Sequence, residues 1–211
     1  MPYDLKGRNV LVTGGSRGLG AIICAKFAAE GCNIAINYAN REAPATELAE
    51  SLQKEYGVKT KVIQVDAGVV GDCVRCVQDT IKAFGGIDII IGNAGWTRFS
   101  DFADLYSMEE HEWDKCWNVH VKGQMALLRE AKPTFNANPE GGVFLITSSV
   151  AGITQSGSSM PYSVTKAAQL HMMKCLADSQ GPKIRVNAVL PGLLLTEWAS
   201  TALCLTEEKH S

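Results

Sequence analysis

The chain has 211 residues, 46% hydrophobic and 20% charged, a composition that excludes a disordered or fibrous protein and suffices for one continuous core. Its 20 Lys and Arg and 22 Asp and Glu leave a formal charge of −2 and form no basic stripe, so a nucleic-acid partner is not expected. No run approaches the ~18 apolar residues of a membrane span, and the charged start from Met1 to Arg8 does not read as a secretion signal. A single soluble domain, cytoplasmic and without membrane contact, is expected over residues 1–211.

Apolar runs and helical patterns alternate along the chain. The first strand is expected from Asn9 to Val12, followed by a glycine-rich turn and a helix from Leu19 to Glu30 that Gly31 ends. A strand from Asn33 to Asn37 precedes a helix from Ala43 to Tyr56, which Gly57 ends. The next pairs are a strand from Lys61 to Val65 with a helix from Val70 to Phe84, then a strand from Ile87 to Ile91 with a long helical pattern from Met108 to Phe135 that has room for an interruption. Strands from Val143 to Thr147 and from Ile184 to Val189 flank a last helix from Tyr162 to Gln180, which Gly181-Pro182 stops. The strands are nearly continuous in Val, Ile and Leu, as strands buried on both faces are. The expectation is an α/β fold: a doubly wound, Rossmann-like parallel sheet of about six strands with helices on both faces.

Seven cysteines, an odd number with no secretion signal, read as reduced thiols. Cys73-Val74-Arg75-Cys76 has the spacing of a metal or redox pair but falls inside a helical pattern with no partner ligands, and His171 and Cys175 are equally alone. No metal site is expected.

Between the first strand and its helix lies Thr13-Gly14-Gly15-Ser16-Arg17-Gly18-Leu19-Gly20. Glycines there allow a tight turn and close approach of backbone to a pyrophosphate, with a helix N-terminus supplying N–H groups. No Gly-Lys-Ser or Gly-Lys-Thr follows, so this is not a phosphoryl-transfer loop. The second strand ends in Asn37-Tyr38-Ala39-Asn40-Arg41, without the acid that would bind an adenosine ribose, while Arg17 and Arg41 suit a 2′-phosphate. NADP(H) is therefore expected over NAD(H).

Tyr162 and Lys166 stand four residues apart at the start of the last helix, on one face, where an ammonium would favour the phenolate and make the tyrosine an acid/base. An isolated Tyr–Lys pair would carry little weight. It comes with Gly92-Asn93-Ala94-Gly95 after the fourth strand, Asn118 in Trp117-Asn118-Val119-His120-Val121-Lys122-Gly123, Ser148-Ser149 after the fifth strand, and Pro191-Gly192-Leu193-Leu194-Leu195-Thr196 after the sixth.

In order and spacing these motifs resemble the short-chain dehydrogenase/reductase family over nearly the whole chain, and are similar especially to its 3-oxoacyl-acyl-carrier-protein reductases. The resemblance implies Tyr162 as catalytic acid/base, Lys166 as the group that lowers its pKa and binds the nicotinamide ribose, and Asn118 as holder of a water leading to Lys166. It implies Ser149 as the residue polarising the substrate carbonyl. Ser149 is chosen over Ser148 because the family's serine lies thirteen residues before its tyrosine and adjacent residues at a strand end point apart. For the cofactor it implies Gly14, Ser16, Arg17, Gly18, Leu19 and Gly20 at the phosphates, with Asn37, Asp66 and Asn93 on the adenosine side. Pro191 and Thr196 would stand near the carboxamide. Asp66 also fits a helix N-cap.

Two departures bear on the expectation. Gly92 stands where the family usually has Asn. After Thr196 only a short stretch remains, so the family's substrate-covering helices and seventh strand are expected to be missing, with weak turnover as the consequence. The leading function is an oxidoreductase moving hydride between NADP(H) and a small carbonyl or secondary alcohol, in a homo-oligomer. The alternative is a cofactor-binding or partner-binding protein with little turnover. An S-adenosylmethionine methyltransferase would share the glycine loop but leaves Ser149, Tyr162 and Lys166 unexplained. Trp96, Phe99, Phe102, Tyr106, Met160 and Trp198 are candidates for an apolar pocket or for ordinary packing.

Overall fold

The computed structural model describes residues 3–194 together with Thr196. Six parallel strands form its sheet: β1 (Asn9–Val12), β2 (Asn33–Tyr38), β3 (Thr60–Gln64), β4 (Ile89–Gly92), β5 (Gly142–Thr147) and β6 (Ile184–Val189), in the order β3-β2-β1-β4-β5-β6. Val12 pairs with Ile36 on one side and Ile91 on the other, so β1 lies inside the sheet, where strand order reverses between β1 and β4. In such a sheet the crevice at the carboxyl ends of the strands, at that reversal, is where ligands bind.

Alternation along each strand divides the core into two layers. Leu11, Ile90, Phe144 and Ile146 pack on one face with α3 (Val70–Phe84), α5 (Gly123–Ala137) and α6 (Met160–Gln180). Val10, Val12, Ile34, Ile36, Ile89 and Ile91 pack on the other with α1 (Gly18–Ala29) and α2 (Ala43–Tyr56). Phe135 and Phe144 are wholly buried, and burying an aromatic of that size contributes about 1.5–3 kcal/mol. The doubly wound α/β architecture is therefore the one the hydrophobic pattern implied.

Several boundaries shift by a residue or two from the sequence expectation, and three of the differences have a clear local reason. β4 starts at Ile89, because Asp88 turns its carboxylate onto the Asn9 amide at 2.9 Å and the Arg8 guanidinium at 3.2 Å. α6 starts at Met160, because Ser159 caps it and accepts from the Tyr162 amide at 3.4 Å. The long helical pattern divides into α4 (Glu110–Trp117) and α5, joined by a widened turn over Asn118–Lys122 in which the Gly123 amide reaches back five residues to Asn118 O. A capping box between Glu109 and Glu112 sets the start of α4.

Among the described residues no helix is long and apolar enough to cross a membrane, and no His, Cys, Asp and Glu cluster could hold a metal ion. Trp198, Cys204 and the stretch expected to lack a seventh strand lie outside the described residues.

Candidate active site

The glycine loop is built from the sheet outward. Gly14 and Gly18 have φ of 60° and 52°, left-handed values that a side chain would strain. Gly20 serves closeness instead: a Cβ there would overlap Gly14 O, so the helix packs directly on the loop. No side chain caps α1 and no acid lies in its first turn, which leaves its dipole uncompensated at the mouth of the loop. Ser16 and Leu19 are half-buried in this turn, and Arg17 is exposed.

Two asparagines expected on the adenosine side brace the loop from behind. Asn37 is buried; its Oδ1 accepts from the Gly14 amide at 3.0 Å, and its Nδ2 donates to Tyr38, Ile63 and Val65 carbonyls. Asn93 Nδ2 donates to Thr13 O at 3.0 Å and Gly14 O at 3.2 Å, while Thr13 Oγ1 accepts from the Asn93 and Ala94 amides. Asp66 does not cap α3, whose cap is Val69. Its carboxylate accepts from the Gly68 amide at 2.8 Å, making a side-chain turn that leads into the helix. Thr196 stands against the loop, its Cβ 3.6 Å from where a Gly18 Cβ would lie. Pro191 O accepts from the Val150 amide at 3.1 Å and so ties the end of β6 to the end of β5.

At the carboxyl end of β5 the two serines separate as the strand geometry requires. Ser148 is buried and donates to Lys166 O at 3.0 Å, within the packing of α6. Ser149 turns the other way, toward Tyr162, whose phenol pKa its hydroxyl acts to lower; its Oγ accepts from the Ala151 amide at 3.2 Å and lies 3.5 Å from Pro191 O. Lys166 is 3% exposed, donates from Nζ to Thr147 O at 2.8 Å, and lies 5.4 Å from the centre of the Tyr162 ring. Ser149, Tyr162 and Lys166 are thus brought together. Asn118 opens the widened turn, its Cβ 3.9 Å from where a Gly68 Cβ would lie.

The residue that the turn delivers to Tyr162 is His120, two positions after Asn118. It is fully buried and meets the Tyr162 ring edge to face, with centroids 5.4 Å apart and planes at 88°. Linear spacing carries no signal for it, because which residue faces α6 depends on the five-residue reach of the widened turn.

Electrostatics at the site correct one expectation. The Tyr162 phenol is pushed up, not down: burial raises it, and the bond with Ser149 only partly opposes that. Burial lowers Lys166 to about 7. The physical reason is that Nζ is directed to a backbone carbonyl beneath the ring, in a setting that disfavours both charged forms. Cys116, whose Sγ–H points to Trp96 O at 3.7 Å, is pushed up to about 11 by burial and is a neutral thiol.

A Rossmann-like sheet with a glycine loop on β1 and a Ser–Tyr–Lys cluster beyond β5 matches one known pattern: the short chain dehydrogenase family model fits residues 8–203, and the chain belongs to that family. It is 32% identical to an L-rhamnose 1-dehydrogenase (NADP(+)) of Thermoplasma acidophilum, over 92% of this chain and 75% of that protein. It is 31% identical to a 3-oxoacyl-acyl-carrier-protein reductase of Staphylococcus aureus, over 90% and 76%. Among solved structures, the L-sorbose reductase of Gluconobacter frateurii, complexed with NADPH and L-sorbose, superposes with a TM-score of 0.87 at 31% identity over 97% of this chain and 78% of that one. A short chain dehydrogenase of Burkholderia cenocepacia in complex with NADP gives 0.85 at 31%, over 92% and 78%.

Proposed function

We propose that this chain is an NADP(H)-dependent oxidoreductase that interconverts a small carbonyl compound and its secondary alcohol, with Tyr162 as the acid/base. The observation that carries this is the convergence of Ser149, Tyr162 and buried Lys166 at the strand ends, across from an uncapped glycine loop. The loop fits a dinucleotide: Gly14 and Gly18 leave their backbone unscreened, and Gly14, Gly18 and the N-terminus of α1 would hold the pyrophosphate. The preference for a 2′-phosphate rests on the exposed guanidiniums of Arg17 and Arg41 and on the absence of an acid in Tyr38 to Arg41. Two NADP(H)-bound solved structures among the similar proteins support the same choice.

When bound, NADPH supplies the hydride. Tyr162, neutral because burial raises its phenol, holds the proton that the developing alkoxide needs. The Ser149 hydroxyl, beside the phenol, stabilises charge on the same oxygen. Lys166 orients the tyrosine from below and, with its pKa near neutrality, can replace the proton Tyr162 gives up. Asn118, at the start of the widened turn, keeps the role the family resemblance implies for it, holding a water that leads to Lys166.

We further read residues 1–211 as a single dinucleotide-binding and catalytic unit. Its cysteines support a reducing compartment such as the cytoplasm, since the six described are all unpaired and five are buried. Exposed Trp117, Met125 and Val164, on the surfaces of α4, α5 and α6, support a homo-oligomer. Titration of NADPH and NADH by fluorescence, followed by a panel of ketones, quinones and β-ketoacyl thioesters, tests the proposal. NADPH binding at least about tenfold tighter than NADH, with consumption on one of the panel, is expected. Tight NADPH binding without consumption of any of them would favour the cofactor-binding alternative.

A further inference from the structure

We infer that His120 is a positioning residue for Tyr162: it ties the segment after β4 to the first turn of α6 and holds the phenol ring edge to face. The inference rests on the reading of Tyr162 as the proton carrier, but its geometry stands independently of that reading.

The hydrogen bonds around His120 have only one consistent polarity. The Trp96 backbone amide can only donate, and it donates to Nε2 at 3.0 Å. Nε2 is therefore the bare nitrogen, and the ring proton lies on Nδ1, which donates to Thr165 Oγ1 at 2.8 Å. The Thr165 hydroxyl then donates to Pro161 O at 2.7 Å. Burial and neighbouring Lys166 hold the imidazole well below its usual range, which keeps this neutral form in place. His120 and Thr165 are 0% and 1% exposed, so every link lies away from bulk solvent.

Each end of the relay touches something the site needs. Pro161 and Thr165 immediately precede Tyr162 and Lys166, so the relay clasps the turn that carries both. Trp96 opens the segment that Arg98 fastens to Glu112 and that Thr97 fastens to Ser159, 3.0 Å between hydroxyls, beside the α6 cap. The ring itself closes one side of the phenol, with Ser149 near the hydroxyl and Lys166 below. A purely packing role would need the ring's volume alone; three hydrogen bonds of fixed direction in a dry site specify orientation.

The test reads the position of Tyr162 directly. The chain has five tyrosines, so fluorotyrosine labelling gives few fluorine signals, and Tyr162→Phe assigns the one at issue. Thr165→Val keeps the volume and removes the hydroxyl, whereas Thr165→Ser keeps the hydroxyl. His120→Leu removes the ring and both of its bonds. The expected result is a Tyr162 signal displaced and broadened in Thr165→Val and His120→Leu and restored in Thr165→Ser. With NADPH and an acetoacetyl thioester, kcat should fall about tenfold or more in Thr165→Val while NADPH affinity changes less than about twofold, as a misplaced reacting group implies. An unmoved Tyr162 signal in folded Thr165→Val would overturn the inference, as would a Thr165→Ser signal that matches Thr165→Val. If Tyr162→Phe turns over as fast as the parent, the acid/base reading fails while the fluorine result still decides the positioning.

Discussion

Burial moves the two titrating groups of the site in opposite directions, Tyr162 upward and Lys166 down to about 7. An unfolded lysine keeps its proton to about 10.5. Between those values the unfolded chain binds more protons than the folded one, so stability rises with pH across that window and the cost of the buried ammonium is greatest below it. Lys166→Met removes that cost. Its melting temperature relative to the parent should therefore be more favourable at about pH 6 than at about pH 9, by the equivalent of about 3 kcal/mol. An advantage that stayed constant or grew with pH would show that Lys166 is charged in the fold. Tyr162, Lys166 and Ser149 were legible in the sequence because their spacing is carried by one helix and one strand end. His120 was not, because its approach to Tyr162 depends on a widened turn that linear spacing does not reveal.

The same limit holds for whole elements. Strand and helix identities follow from hydrophobic pattern and end signals, yet the division of α4 from α5 does not. Nor does the pairing of Gly92 with Gln124: a Cβ on Gly92 would overlap Gln124 Oε1, so the residue that departs from the family's Asn makes room for a long side chain from α5. Gly92→Ala should cost about 1–3 kcal/mol in chemical unfolding, and at least half of that cost should vanish in a Gln124→Ala background. Additive costs would mean that the two side chains do not compete. The start of α4 offers a pH-dependent counterpart. The Arg98 guanidinium and the Glu109 amide hold Glu112 down to about 2, against 4.5 unfolded, so its stabilisation is complete above the higher value and fades toward the lower. Glu112→Gln should lower the urea midpoint at neutral pH and converge with the parent as the solution is acidified; a gap that persisted in acid would assign the effect to packing.

At the scale of the molecule, two packed layers on a parallel sheet leave one rim for chemistry, the carboxyl ends of β1, β4, β5 and β6. The glycine loop stands on one of these ends, Asn93 on the next and Ser149 on the third, which is why residues scattered from position 14 to 166 converge. The alternation of strand and helix foretold this architecture, and the ordered motifs foretold the family. Asn37 and Asn93, which the family resemblance places on the adenosine side, also brace the loop through side-chain bonds that linear spacing does not reveal. The proposed chemistry is most directly tested by Tyr162→Phe. This variant should bind NADPH within about threefold of the parent and oxidise it, with a carbonyl substrate the parent accepts, about 10²–10⁴ times more slowly; equal rates in the two proteins would contradict the account.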